Sequence, residues 1–136
     1  MTQSKENIYT LKELDYPEVN LRLMSNNLVY VLLKDNCNFD IPLQMRLLDY
    51  YREITNNTLM PFLFLVGENV SITKEARDNA VKIEDQSMLA ASAVVVDSLP
   101  YKLIANFYLK FNKPKRPYKV FSKQEEAINW LLSLKL

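Results

Sequence analysis

Histidine is absent from this sequence, and glycine and cysteine occur once each among its 136 residues. Without histidine there is no Ser-His-Asp or Cys-His catalysis, no imidazole base near neutral pH and no His-ligated metal. Cys37 alone cannot form an internal disulfide or a multi-cysteine metal site. Gly67 alone cannot build a Walker loop or a dinucleotide fingerprint, both of which need several glycines to bring backbone close to phosphate. Long apolar runs are missing too. Stretches such as Met88 to Val96, with Ser92 inside, fall far short of the roughly 20 residues a bilayer crossing requires. Met1 to Asn7 are polar, so no export segment is expected. A lone cysteine suits a reducing, cytoplasmic setting. Neither sign of charge dominates: 17 Lys and Arg face 16 Asp and Glu, and a net charge of +1 gives no global attraction to nucleic acid.

What is present describes one domain spanning residues 1–136. Hydrophobic residues make up 49% of the chain, and no linker or repeat interrupts it. Val19, Leu21 and Leu23 alternate with Asn20 and Arg22, the period of a strand with one wet face. Asn26-Asn27 can supply the positive φ of a two-residue hairpin. Leu28 to Leu33 is continuously apolar and reads as a strand covered on both faces. With a further strand over residues 8–14, the N-terminal quarter is an antiparallel meander.

The period then changes. Asp40 is placed to cap a helix, Pro42 fits its first turn, and Leu43, Leu47, Tyr50, Tyr51 and Ile54 share one face up to Asn56-Asn57. Phe62 to Val66 reads as a buried strand between Pro61 and Gly67. Thr73 caps a helix carrying Ala76, Ala80 and Ile83, and residues 91–97 form the next core strand. A helix over 99–111 follows, then a strand at Tyr118–Phe121. Ser122 to Glu125 matches a capping box ahead of a last helix with Ala127, Ile128, Leu131 and Leu134 inside and Trp130 at its margin. The order implies an α/β fold: a mixed β-sheet, meander first and βα crossovers after, with about four packed helices.

The stretch Ala93-Val94-Val95-Val96-Asp97-Ser98, the helix around Leu103-Ile104-Ala105-Asn106-Phe107, the loop from Asn112-Lys113-Pro114 to Arg116-Pro117, and the ending Val120-Phe121 to Glu125-Glu126-Ala127-Ile128 to Trp130-Leu131 resemble small bacterial SpoIIAA-like domains of the STAS/SEC14-like group. The resemblance implies a non-catalytic regulatory or protein-binding module needing no cofactor, with another protein as partner. Its SEC14-like side implies, as an alternative, a carrier of a lipid or other apolar small molecule. The family's phosphorylated serine lies in an Asp-Ser-Ser-Gly type motif at a helix start. The matching stretch here is Ser71-Ile72-Thr73-Lys74-Glu75-Ala76, which lacks the Ser-Ser-Gly element and leaves only the hydroxyls of Ser71 and Thr73.

Three groups of residues are candidates for function. Ser71 and Thr73 would place a phosphate at a helix N-terminus, or serve as ordinary caps. Lys110, Lys113, Lys115, Arg116 and Lys119, interleaved with Phe111 and Tyr118, form either a basic binding patch that could hold nucleic acid weakly or a solvated connection. The modest overall charge argues against nucleic acid. The acidic pairs Glu84-Asp85 and Glu125-Glu126 read as solvated faces and caps, and Cys37 has no nearby cation to activate it. The aromatic residues are core by default, or the lining of a cavity between helices and sheet. An uncovered strand edge or apolar helix face would allow a homodimer. Recognition is expected through the 67–73 loop, the helix after it and the 99–111 helix.

Overall fold

The computed structural model describes residues 7–103, 106 and 112–136. Strands β1 (Thr10–Asp15), β2 (Val19–Met24) and β3 (Val29–Leu33) form the meander. A short strand β4 (Asn38–Phe39) leads into helix α1 (Ile41–Thr55). Next come β5 (Met60–Val66), the short β6 (Ser71–Ile72), helix α2 (Lys74–Lys82) and a 3-10 turn at Glu84–Gln86. Strand β7 (Leu89–Val95), strand β8 (Tyr118–Phe121) and helix α3 (Gln124–Ser133) complete the described elements. Residues 99–103 are helical, and most of the rest of the helix expected over 99–111 lies outside the described residues. Among the described residues no helix is long and apolar enough to cross a membrane.

The main sheet has six strands in the order β1-β2-β3-β5-β7-β8. Pairing is antiparallel through β3 and parallel from β3 to β8, so the expected α/β class with a mixed sheet is what the chain adopts. One apolar row, Leu14, Leu21, Val31, Phe64, Val94 and Val120, crosses all six strands in register. A one-residue slip in any strand would turn its side chain to the opposite face, so this row pins the register. β4 and β6 pair in parallel as a separate two-stranded sheet, which the sequence pattern did not reveal.

Each face of the main sheet carries its own core. On one side Leu43, Leu47, Tyr51 and Ile54 of α1 pack against Val19, Leu21, Val29, Val31 and Phe62. On the other, Ala127 and Leu131 of α3 cover Leu28, Leu63, Ala91 and Ala93. The small Ala91 and Ala93 have no exposed surface, which lets α3 sit close to β7. β3 is thus covered on both faces, as its unbroken apolar run implies.

Local signals explain most boundaries. The Asp40 carboxylate accepts the Leu43 N–H at 3.0 Å, and Asn56 closes α1 in the left-handed region at φ 54°. Pro61 stands inside β5, next to an irregularity in the β5–β7 register, where a missing N–H is tolerated. Two local expectations are corrected. The β2–β3 hairpin has a three-residue loop: Asn27 N–H donates to the Met24 carbonyl at 3.0 Å, Met24 N–H to Leu28, and only Asn27 takes positive φ, at 67°. Chain twist is matched there by one left-handed residue after a turn, where a two-residue type I′ turn would need two. The capping box does not form either. α3 starts one residue later than it requires, with Lys123 at the cap position and no side-chain cap, because β8 runs to Phe121 and Ser122 serves as the bend.

Candidate functional site

Between the sheet and α1 and α2 the face with the apolar row does not close. A cavity of about 220 Å³ lies there, walled by Phe64 and Val66 of β5, Ser92 and Val94 of β7, Leu48 and Tyr51 of α1, Ala76 and Ala80 of α2, and Tyr101. Pro114, Arg116, Pro117 and Tyr118 add to its wall from the segment before and at the start of β8. The strands β5 and β7 reach the cavity because their alternate residues face α1 and α2, while Leu63, Ala91 and Ala93 face α3.

Hydrogen bonds hold the walls in place. The Gln44 side chain is buried, donates to the Ala76 carbonyl at 2.8 Å and accepts from Asn79 at 2.9 Å, which fixes α2 against α1. The Tyr101 hydroxyl accepts the Val70 N–H at 2.7 Å and ties the 99–103 helical segment to the loop before β6. The Glu84 carboxylate accepts two backbone N–H groups, from Lys115 at 3.0 Å and Arg116 at 3.1 Å. Arg116 Nη1 donates to the carbonyls of Ser87 and Leu89, each at 2.9 Å. Asn112 donates to Asp78 at 3.0 Å, and with Lys74 it holds that carboxyl below its ordinary range.

One wall group is left over. Tyr51 is 5% exposed and its ring lies edge-on to Phe62 and Phe64, yet among the described residues its hydroxyl makes no hydrogen bond. No described buried side-chain oxygen closed off from solvent lacks a partner, and Tyr51 is one of the residues that line the cavity. Burial pushes its pKa well above the ordinary tyrosine range, so it stands as a neutral O–H donor. Two arginines, Arg77 and Arg116, are also among the residues that line the cavity. Among the described residues neither is within ion-pair distance of a carboxylate. Arg77 Nη1 donates to the Ile72 carbonyl at 3.0 Å, leaving its other donors open.

The residues singled out by the sequence go to different places. Thr73 caps α2, its hydroxyl accepting the Ala76 N–H at 3.0 Å. The exposed Ser71 hydroxyl donates to Asn38 at 2.9 Å across the β4–β6 pair. The basic segment divides: Arg116 is in the cavity wall, Lys113 and Lys115 are exposed, and Lys119 lies over the Phe121 ring at 5.3 Å on the α3 side. Lys110 lies outside the described residues. Glu84 proves to be a loop clamp, and the buried Cys37 thiol is pushed up in pKa by burial, with Glu18 and Asp40 adding to it. Sequence reasoning placed Tyr51 only on the core face of α1. The available signal was a phenol where a buried ring alone would have been Phe.

Fold and cavity together define a class: a mixed-sheet α/β domain with an apolar chamber on one face of the sheet. The chain belongs to the family described as Domain of unknown function (DUF7793), whose model matches residues 22–135. No curated protein and no solved structure matches it.

Proposed function

We propose that this chain is a non-catalytic binding module that takes a small, largely apolar molecule into the chamber between the sheet and α1 and α2. The observation that carries the reading is the cavity itself, about 220 Å³ with a mainly apolar lining. Interiors are normally filled to crystal-like density, and an apolar void of about 150 Å³ is enough to hold benzene. The resemblance to SpoIIAA-like and SEC14-like domains supports a carrier or sensor over an enzyme. So does the inventory of the chamber: the one carboxylate among its described residues, on Glu84, is already committed to two backbone N–H groups. The volume favours a small molecule over a two-chained lipid.

The test is ligand-observed NMR with toluene, indole and octanoate on the full chain and on Ala80→Phe, which fills the chamber from α2. Saturation transfer to at least one probe that disappears in A80F is the expected result. Transfer to none, or transfer unchanged in A80F, refutes the reading.

A second reading, the STAS-type regulatory module that binds another protein, is favoured by a separate observation. Leu99 and Leu103 of the helical segment 99–103 are 67% and 62% exposed. Apolar side chains left this open on one short helical segment suit a partner surface. A partner whose capture is lost in L99D/L103D, with probe binding intact, would support it.

A further inference from the structure

We infer that the occupant of the chamber is a monocyclic aromatic carboxylate bearing a polar ring substituent; the inference rests on the cavity reading and names its ligand class. Size comes first. If about 150 Å³ accommodates the six carbons of benzene, then a chamber of about 220 Å³ holds roughly nine non-hydrogen atoms, a single substituted ring. The walls point the same way, because Tyr51, Phe64 and Tyr101 present aromatic surfaces to one space. Rings pack on such surfaces edge-to-face or offset with a gain beyond simple burial.

Charge selects the carboxylate. Arg77 and Arg116 line the chamber, and each is anchored through Nη1 on backbone carbonyls. Their remaining N–H donors meet no described carboxylate within 4.0 Å, which leaves them available for an anion. Among the described lining residues Glu84 is the one acidic side chain against Arg77 and Arg116, so these carry one more positive charge than negative. A carboxylate that meets either guanidinium at the edge of this apolar space gains charge-assisted hydrogen bonds that an amide of the same shape cannot match.

The buried hydroxyl selects the substituent. Tyr51 O–H is almost fully buried and has no partner among the described residues. An unsubstituted ring would seal it against hydrocarbon and leave it unsatisfied, whereas a ring oxygen would take its hydrogen bond.

The experiment is isothermal titration of the full chain with 3-hydroxybenzoate, 4-hydroxybenzoate, benzoate and 4-hydroxybenzamide. The expected result is binding of at least one hydroxybenzoate, about fivefold tighter than benzoate, a factor typical of one neutral hydrogen bond. The amide is expected to bind about tenfold more weakly than 4-hydroxybenzoate, as loss of a charge-assisted contact requires. In Tyr51→Phe the preference for hydroxybenzoate over benzoate should vanish, with benzoate binding at least as tightly as before because no hydroxyl is left to go unsatisfied. In Arg77→Gln all three acids should weaken and the amide should not. Equal binding of acid and amide, or a hydroxyl preference that survives Y51F, overturns the ligand class. If these compounds fail while toluene or octanoate still binds in an Ala80-dependent way, the ligand class falls and the cavity reading stands. If no probe binds, both fall.

Discussion

The single glycine shows how closely one position can be specified. Gly67 ends β5 with its N–H donating to the Leu33 carbonyl at 2.8 Å. A Cβ at this position would meet Asp35 Oδ1 at 2.5 Å, Asp35 N at 2.8 Å and the Leu33 oxygen at 2.9 Å. Two of those atoms are backbone, and Asp35 Oδ1 is itself held by the Glu68 N–H at 2.8 Å, so none can yield freely. Gly67→Ala is expected to cost about 1–3 kcal/mol, the usual penalty for overpacking, read as a lowered urea midpoint at unchanged m-value. Asp78 provides a pH test at the same scale. Its pKa is lowered from 3.8 by the hydrogen bond from Lys74 first and that from Asn112 second. A depressed carboxyl stabilises the fold above its unfolded pKa and loses that contribution as pH falls through the folded value. Carboxyl ¹³C titration should therefore place Asp78 below 3.8 in the parent chain and nearer 3.8 in Lys74→Met.

Helix starts are the place where elements can be tested against one another. Asp40, Thr73 and Ser122 all looked like caps in the sequence, and two of them are: Asp40 accepts the Leu43 N–H and Thr73 the Ala76 N–H. Ser122 makes no such bond, since α3 begins with Lys123 at its cap position. Asp40→Ala should accordingly cost about 1 kcal/mol, while Ser122→Ala should change stability by less than about 0.5 kcal/mol in the same denaturation assay. Equal losses would restore the capping box. The two-residue hairpin and the capping box misled for one reason. Side-chain chemistry names the residues able to make a motif, but a shift of one residue, set by how far the neighbouring strands stay paired, decides whether the motif forms. The strand at 91–97 shifted in the same way, to 89–95, because pairing with β5 sets its extent.

For the whole molecule, the two cores share one sheet and so should melt together. α1 packs through Leu47 on one face and α3 through Leu131 on the other, both essentially without exposed surface. Leu47→Ala and Leu131→Ala should each cost about 2–5 kcal/mol. The only tryptophan, Trp130, packs beside Phe121 on the α3 face, with ring centres 5.7 Å apart. Its fluorescence therefore reports that face, and it should follow the same urea transition as far-UV circular dichroism. A fluorescence transition that precedes the loss of secondary structure would show α3 leaving a sheet that stands without it.

Local periodicity and composition determined a good deal here: the meander, the two-sided burial of β3, the caps at Asp40 and Thr73, the mixed α/β class and the exclusion of imidazole chemistry and of an internal disulfide. Each depends on residues close in sequence or on composition, where sterics and hydrogen-bonding capacity act directly. Tertiary packing decided the rest. Tyr51, Arg77, Val94 and Arg116 belong to four separate segments, and only the crossovers that bring α1, α2 and the 114–118 segment against β5 and β7 make them walls of one chamber. The same aromatic stripe reads identically in sequence whether the opposing surface closes on it or stops short, because a void is a property of the distance between surfaces and of neither surface alone.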